Sequence, residues 1–404
     1  MPPLEKPAAK RPMWRSLDDL AGDPAYVQLV KREFPSYADE MLAPSRRDFL
    51  RLMGASVALA GMTACRRWPS ENIVPFAHRP EGYVPGSTIQ YATSFELGGA
   101  ATGLLVTSYD GRPIKIEGNP SHPQSLGATD PIAQATVLQL YDPDRSTEFV
   151  ERPKGGAPSA RDKDSFAAWL TPHFAALKAT GGQGLRVLSE PSSSPTLTDL
   201  KARFATTFPK AVWVTWDPLS RDAAREGCAL AFGRPLRAHL ALEKADVIAA
   251  FDADILGDDP TALANSRAWA RRRRATDGTM NRLYAIEPAY SLTGGSADQR
   301  IAVSAYLVPV VLGRLAEKLI QNGVALPAGT EAMRDAVSRF ASHPYDDPRI
   351  AVLAQDLIEA KGKGAIVVGP RQPAAAHALA CVLNAALQNV GAAVWDSEDP
   401  EPQR

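Results

Sequence analysis

From residue 185 onward the apolar positions fall into short blocks separated by longer stretches of helical period. The blocks at 185–188, 211–216, 246–251, 282–286 and 365–368 are nearly continuous in Val, Ile, Leu, Ala and Phe, the pattern of strands buried on both faces. Between them, 196–208, 220–232, 297–319 and 374–388 place apolar residues at spacings of three and four, which predicts crossover helices. Strand and helix in alternation predict a parallel, doubly wound α/β region over 151–404. In such sheets ligands sit beyond the carboxyl ends of the strands. The chain offers Glu190, Asp217 and Asp252 there, set among Pro, Ser and Gly, where they read as loop caps rather than catalytic carboxylates. Neither of the glycine-rich phosphate loops, G-x-G-x-x-G or G-x-x-x-x-G-K-[ST], occurs. Arg271 to Arg274 form the one basic run and read as a solvated helix end, with partner docking as the alternative.

Upstream the period changes. A Pro-rich linker over 68–86 precedes two strand patterns at 103–109 and 112–117, joined by Asp110-Gly111, a hairpin turn signal. Then come Gly118-Asn119-Pro120-Ser121-His122-Pro123 and Leu140-Tyr141-Asp142-Pro143-Asp144-Arg145. A lone histidine beside proline reads as a structural turn and not as a metal ligand.

The first 65 residues follow neither pattern. Ser45-Arg46-Arg47-Asp48-Phe49-Leu50-Arg51 matches a twin-arginine export signal around Arg46 and Arg47, and an uncharged run follows over 52–64. That run is shorter than the roughly 18 residues a membrane-spanning helix needs. It ends at Cys65, which is either a lipid-bearing N-terminus after processing or an ordinary small residue in an uncleaved signal. The leader at 1–44 contains Trp14-Arg15-Ser16-Leu17-Asp18-Asp19-Leu20 and a second apolar stretch at helical spacing, with Ser16 placed to cap a short helix.

Composition removes several classes. Lys+Arg and Asp+Glu number 45 each, so nothing points to nucleic acid. Three cysteines, Cys65, Cys228 and Cys381, with no C-x-x-C, exclude a disulfide framework, a zinc ribbon and a self-contained four-cysteine iron–sulfur cluster.

"TGLLVTSYDGRPIKIEGNPSHPQSLGATD" followed by "LYDPDR" resembles the N-terminal portion of molybdopterin oxidoreductases of the dimethyl sulfoxide reductase type. The resemblance extends to "EPAYSLTGGSADQRIAV" and "NAALQNVGAAVW". It implies an α/β fold with a small β-rich domain at 66–150 and a doubly wound domain at 151–404. In that family four cysteines around the first strands hold a [4Fe–4S] cluster. Here those positions fall at Phe95, Gly98, Thr102 and Asp130, none able to supply a thiolate, so the site is degenerate.

The delayed twin-arginine segment, the leader and the cysteine-free molybdopterin-like portion together resemble the molybdopterin oxidoreductase-like subunit of bacterial alternative complex III, a membrane quinol oxidoreductase. That resemblance implies a non-catalytic structural subunit on the periplasmic face of the cytoplasmic membrane, peripheral or lipid-anchored, carrying no cofactor of its own. It also implies partners: a ferredoxin-like iron–sulfur half, a multihaem cytochrome c and integral membrane quinol-binding subunits. The sequence ends before any cysteine-rich ferredoxin-like half, which points to a split gene or a fragment. The competing expectation is a molybdopterin-dependent oxidoreductase that keeps its pterin but has lost the N-terminal cluster.

Overall fold

A computed structural model describes residues 17–33, 81–84, 86–274, 276, 280–330, 333, 337–338 and 343–398. Arg46, Arg47 and Cys65, with Ser16 and most of the linker, lie outside them. The chain divides into one unit over Met1–Val74 and a second over Pro75–Arg404. In the first, the leader's helical spacing produces two short helices, α1 (Leu17–Ala21) and α2 (Pro24–Glu33). No helix among the described residues is long and apolar enough to cross a membrane.

The second unit opens with an antiparallel meander of β1 (Thr88–Leu97), β2 (Ala100–Tyr109) and β3 (Arg112–Gly118). The predicted turn between β2 and β3 is tight because Asp110 and Gly111 both take positive φ, 46° and 80°, which suits the strands' twist. Helix α3 (Pro131–Gln139) closes one face, burying Ala133 against Leu104 and Ile116. His122 is the structural residue expected. Its Nδ1 accepts from the Gly103 and Gln124 amides at 3.2 and 3.3 Å. Gly103 makes room for it, since a Cβ there would lie 2.3 Å from the imidazole Cγ.

A small hairpin, β4 (Phe149–Glu151) with β5 (Ser159–Arg161), leads into α4 (Lys163–Ala179). Next, β6 (Arg186–Ser189), α5 (Pro195–Thr207) and β7 (Val212–Thr215) form one parallel crossover unit. Helix α6 (Asp222–Phe232) and β8 (Leu236–Leu240) then lead to the main sheet.

Its strands are β9 (Val247–Phe251), β10 (Arg282–Glu287), β11 (Gln299–Ala302) and β12 (Gly364–Val368), all parallel, in the order β11-β10-β9-β12. Connections run through α7 (Ala262–Arg271), the short α8 (Leu292–Ser296), α9 (Val308–Gln321) and α10 (Pro348–Glu359). Helix α11 (Ala374–Ala386) and β13 (Val394–Glu398) follow, β13 pairing antiparallel with β8.

The alternation along the strands explains the two layers. Val247, Ala249 and Phe251 join Tyr284, Ile286 and Ile366 in one core with α9, α10 and α11, whereas Ile248, Ala250, Leu283 and Ala365 point into a second core on the opposite face. Each large apolar side chain removed from water in this way contributes about 1.5–3 kcal/mol.

Two expectations change. The spacing over 297–319 predicts a single helix, but 299–302 is strand β11 and α9 starts only at Val308. Arg300 pairs with Glu287 at 2.6 Å and Ile301 is fully buried, so edge pairing outweighs local helical spacing; Pro309 marks the true helix start. The arginine run is only half a solvated end: Arg271 and Arg274 are exposed, but the two between them are engaged. Arg272 bonds Asp246 at 2.6 Å and Arg273 grips Asp298 with both terminal nitrogens at 2.9 and 2.8 Å, tying α7 to the beginnings of β9 and β11.

Candidate functional cleft

The order β11-β10-β9-β12 places the sheet's topological switch point between β9 and β12, where a doubly wound sheet opens its binding crevice. In this chain the two strand ends are tied to each other across that point. Asp252, directly after β9, is 4% exposed and takes a left-handed φ of 52°. Its carboxylate accepts from Arg371 Nη2 at 2.6 Å and Gln372 Nε2 at 2.8 Å, both just beyond β12. The backbones also meet: a Cβ on Gly369 would stand 1.7 Å from the Asp252 carbonyl oxygen. Asp252 is therefore a buried, ion-paired strut and not the loop cap expected. Asp217 does cap its loop, accepting from the Leu219 amide at 2.8 Å.

The next strand end is closed in the same manner. Glu287 accepts from Arg300 Nε at 2.6 Å and from Ser291 Oγ at 2.5 Å. Gly294 lies against it so closely that a Cβ would fall 1.8 Å from Oε1. Asp254 accepts from the amide and hydroxyl of Thr293 at 2.9 and 2.7 Å. The segment 287–303, singled out in the sequence, is thus a self-contained lock on the carboxyl ends of β9 and β10.

A pyrophosphate-bearing pterin nucleotide needs basic groups or bare amides at these strand ends. Arg371, Gln372, Thr293 and Arg300 there donate to Asp252, Asp254 and Glu287, and those carboxylates oppose a phosphate. The residues at the switch point do not fit that cofactor.

Open space lies instead on the other side of β12. A cleft of about 720 Å³ runs between the β6–β7 unit and the layer of α6, α11, β8 and β13. Its lining carries Lys201, Arg221, Arg225 and Arg237 against Asp217, Asp222, Asp259 and Asp396. Arg221 pairs with Asp259 and Arg225 with Asp222, each at 3.6 Å. Balanced, paired charge suits recognition of a mixed polar surface more than of a polyanion.

Deeper in, the lining includes Cys228, Cys381 and His377. Burial lowers the His377 pKa to about 4, against backbone hydrogen bonds to Gly369 and Gln372 that hold it up, and its Nε2 is buried without a hydrogen-bond partner. His239 stacks on Trp395 with ring centroids 4.0 Å apart and meets Ser397 Oγ at 2.8 Å. Among the described residues no group of three or more His, Cys, Asp or Glu is arranged to hold a metal ion.

The β1–β2 turn adds Gly98 and Gly99 to the lining of the cleft, beside the positions where the resemblance expects cluster cysteines. Phe95 and Thr102 are register partners in β1 and β2. Gly98 turns the hairpin with φ 56°. Asp130 caps α3, accepting from the Ala133 amide at 2.8 Å. Between Phe95 and Gly98 sits Glu96, which the sequence patterns do not single out. It accepts from Ser192 Oγ at 2.6 Å, Ser193 Oγ at 2.8 Å and the Ser193 amide, while Arg237 Nη1 donates to the Gly99 carbonyl at 2.8 Å. Burial alone would raise the Glu96 pKa, but the serine hydrogen bonds and nearby Arg237 hold it below the usual carboxylate range. The hairpin tip is thereby latched to the loop after β6. A carboxylate beside paired glycines at the turn is the only sequence signal for it.

No family model matches the chain. It is 27% identical over 333 residues to the "Menaquinone reductase, molybdopterin-binding-like subunit" of Nitratidesulfovibrio vulgaris, an alignment covering 79% of this chain and 47% of that protein. The chain therefore spans about half the length of the curated relative it matches. In three dimensions it resembles acetylene hydratase from Pelobacter acetylenicus, with a TM-score of 0.55 and 12% identity over 73% of this chain and 43% of that one. With its parallel sheet and layered helices, the chain has the α/β fold expected from its sequence, the molybdopterin oxidoreductase-like fold of the dimethyl sulfoxide reductase type.

Proposed function

We propose that this chain is a non-catalytic structural subunit of a membrane-associated quinol:electron acceptor oxidoreductase of the alternative complex III type. In this reading it supports electron transfer from quinol to cytochrome c or a terminal oxidase by holding other subunits together. The iron–sulfur clusters belong to a ferredoxin-like half, on a partner chain or in a C-terminal portion of the same protein. Further partners are a multihaem cytochrome c and integral membrane quinol-binding subunits. The twin-arginine segment at Arg46 and Arg47 directs it to the periplasmic face of the cytoplasmic membrane, with Cys65 as the candidate lipid anchor.

The observation that carries this reading is the closed switch point, where Arg371 and Gln372 bind Asp252 and tie the ends of β12 and β9 together. The relative's name supports the coarser part, a subunit serving quinone chemistry. Exposed apolar side chains in the stretch 149–219 support a docking role, among them Trp169, Leu188, Trp216 and Leu219 at 56, 70, 56 and 76% exposure.

The competing reading, a molybdopterin enzyme that lost its cluster, draws support from the 720 Å³ cleft. Metal and pterin analysis of the purified complex separates the two. The structural reading expects neither molybdenum, tungsten nor pterin on this chain. Stoichiometric metal and pterin bound to it would overturn that reading.

A further inference from the structure

Two cysteines face each other at the floor of the cleft. Cys228 lies on α6 and Cys381 on α11, 153 residues apart in sequence, with their sulfurs 3.5 Å apart. The approach has a local cause. Gly227 packs directly on α11, where a Cβ would stand 2.4 Å from the His377 Cβ and 2.7 Å from the Ala374 carbonyl oxygen. Glycine lets the two helix backbones come this close, and that closeness brings the next residue, Cys228, onto the turn that bears Cys381. A disulfide has an S–S length of about 2.05 Å, so the sulfurs need only a small further movement. Both side chains line the cleft, Cys381 partly exposed and Cys228 buried.

We propose that Cys228 and Cys381 form a redox site that closes to an intramolecular disulfide when the chain meets a disulfide-bearing oxidant. Cys381, the more accessible of the two, attacks one sulfur of the oxidant as its thiolate and releases the oxidant's other sulfur as a thiolate. The Cys228 thiolate then attacks the Cys381 sulfur of the mixed disulfide. This forms the Cys228–Cys381 bond and expels the oxidant's second sulfur. Two protein thiols are oxidised, one disulfide is reduced to two thiols, and the two protons leave on those thiols. The contact with Cys228, together with burial, pushes the Cys381 thiol pKa up. Closure is therefore slow near neutrality and accelerates with pH as the thiolate fraction grows. The bond ties α6 to α11 and encloses β8 to β12 in one covalent loop, which restricts the unfolded chain. This thiol chemistry is independent of the respiratory role.

The test uses the full chain and a Cys65→Ser variant, each incubated with oxidised glutathione, then denatured, alkylated and digested. The expected result in both is joint loss of alkylation at Cys228 and Cys381, with a linked peptide pair lighter by two hydrogens. Oxidation should also shift the unfolding temperature upward, dithiothreitol should reverse the shift, and Cys228→Ser and Cys381→Ser should each abolish it. Continued alkylation of both cysteines after oxidation would overturn the proposal. So would a lasting glutathione adduct on Cys381 with Cys228 still alkylated, or bonding through either residue to a second chain.

Discussion

Arg371, beyond the end of β12, reaches across the switch point to Asp252, beyond the end of β9, and meets its carboxylate at 2.6 Å. The acid is buried, with 1% side-chain exposure, whereas the arginine side chain is 69% exposed. Removing the arginine leaves Gln372 as the remaining side-chain donor to a buried charge. Arg371→Ala should therefore destabilise the fold by about 1–3 kcal/mol. The check is denaturant unfolding, in which the midpoint falls at unchanged slope; an unchanged midpoint would show that water replaces the guanidinium freely.

Gly227→Ala should cost about 1–3 kcal/mol, because the added methyl must push α6 away from α11. The same variant should slow disulfide closure between Cys228 and Cys381, since the helices can no longer touch. Thermal unfolding and timed alkylation read the two effects separately.

Glu96→Ala should loosen the hairpin tip and leave most of the core intact. The expected readout is faster amide exchange or proteolysis around Gly98 and Gly99, with global stability reduced by about 1–2 kcal/mol. The pH dependence has a definite sign. The folded pKa of Glu96 is depressed, so its contribution is present above the unfolded carboxylate pKa and lost as pH falls through the folded value. Wild-type protection of the hairpin should vanish in acid, and Glu96→Ala should lack that transition.

His377 acts in a different pH window. Its folded pKa of about 4 lies below the value of 6.5 for an open histidine, so between these limits the unfolded state binds more protons. Stability should fall by roughly 3 kcal/mol as pH drops across that interval. His239, also depressed by burial and then by Arg237, adds to the same slope. His377→Leu should flatten most of it in chemical denaturation measured at several pH values. A slope unchanged in the variant would assign the proton uptake elsewhere.

The strands of the main sheet are legible in the sequence because burial on both faces leaves unbroken apolar blocks, as at 247–251. Strand β1 is not, because most of its residues are exposed and its pattern is neither alternating nor apolar. Helices α3 and α10 escape the periodicity, although each starts on the same readable pair, Asp130-Pro131 and Asp347-Pro348, a side-chain cap followed by a proline with no amide to satisfy. Within the cleft, Cys228 and Cys381 look unrelated in sequence. Their meeting depends on the α6–α11 approach, and nothing local in either helix records it. Arg371 and Gln372 likewise look like no more than a strand end, because their partner Asp252 lies 119 and 120 residues away.

The two asparagines of "NAALQNVGAAVW" set a limit on how a complex can be built around this chain. Asn384 answers both backbone groups of Ile366, its Oδ1 accepting at 3.0 Å and its Nδ2 donating at 2.8 Å, and Asn389 Oδ1 takes the Gly364 amide at 3.0 Å. Strand β12 is the last in its sheet, yet its outward groups at Gly364 and Ile366 already bond side chains. A partner's strand therefore cannot extend the sheet at that border by hydrogen-bond addition. A partner that met this flank would do so through side-chain packing, by face contact and not by sharing a sheet.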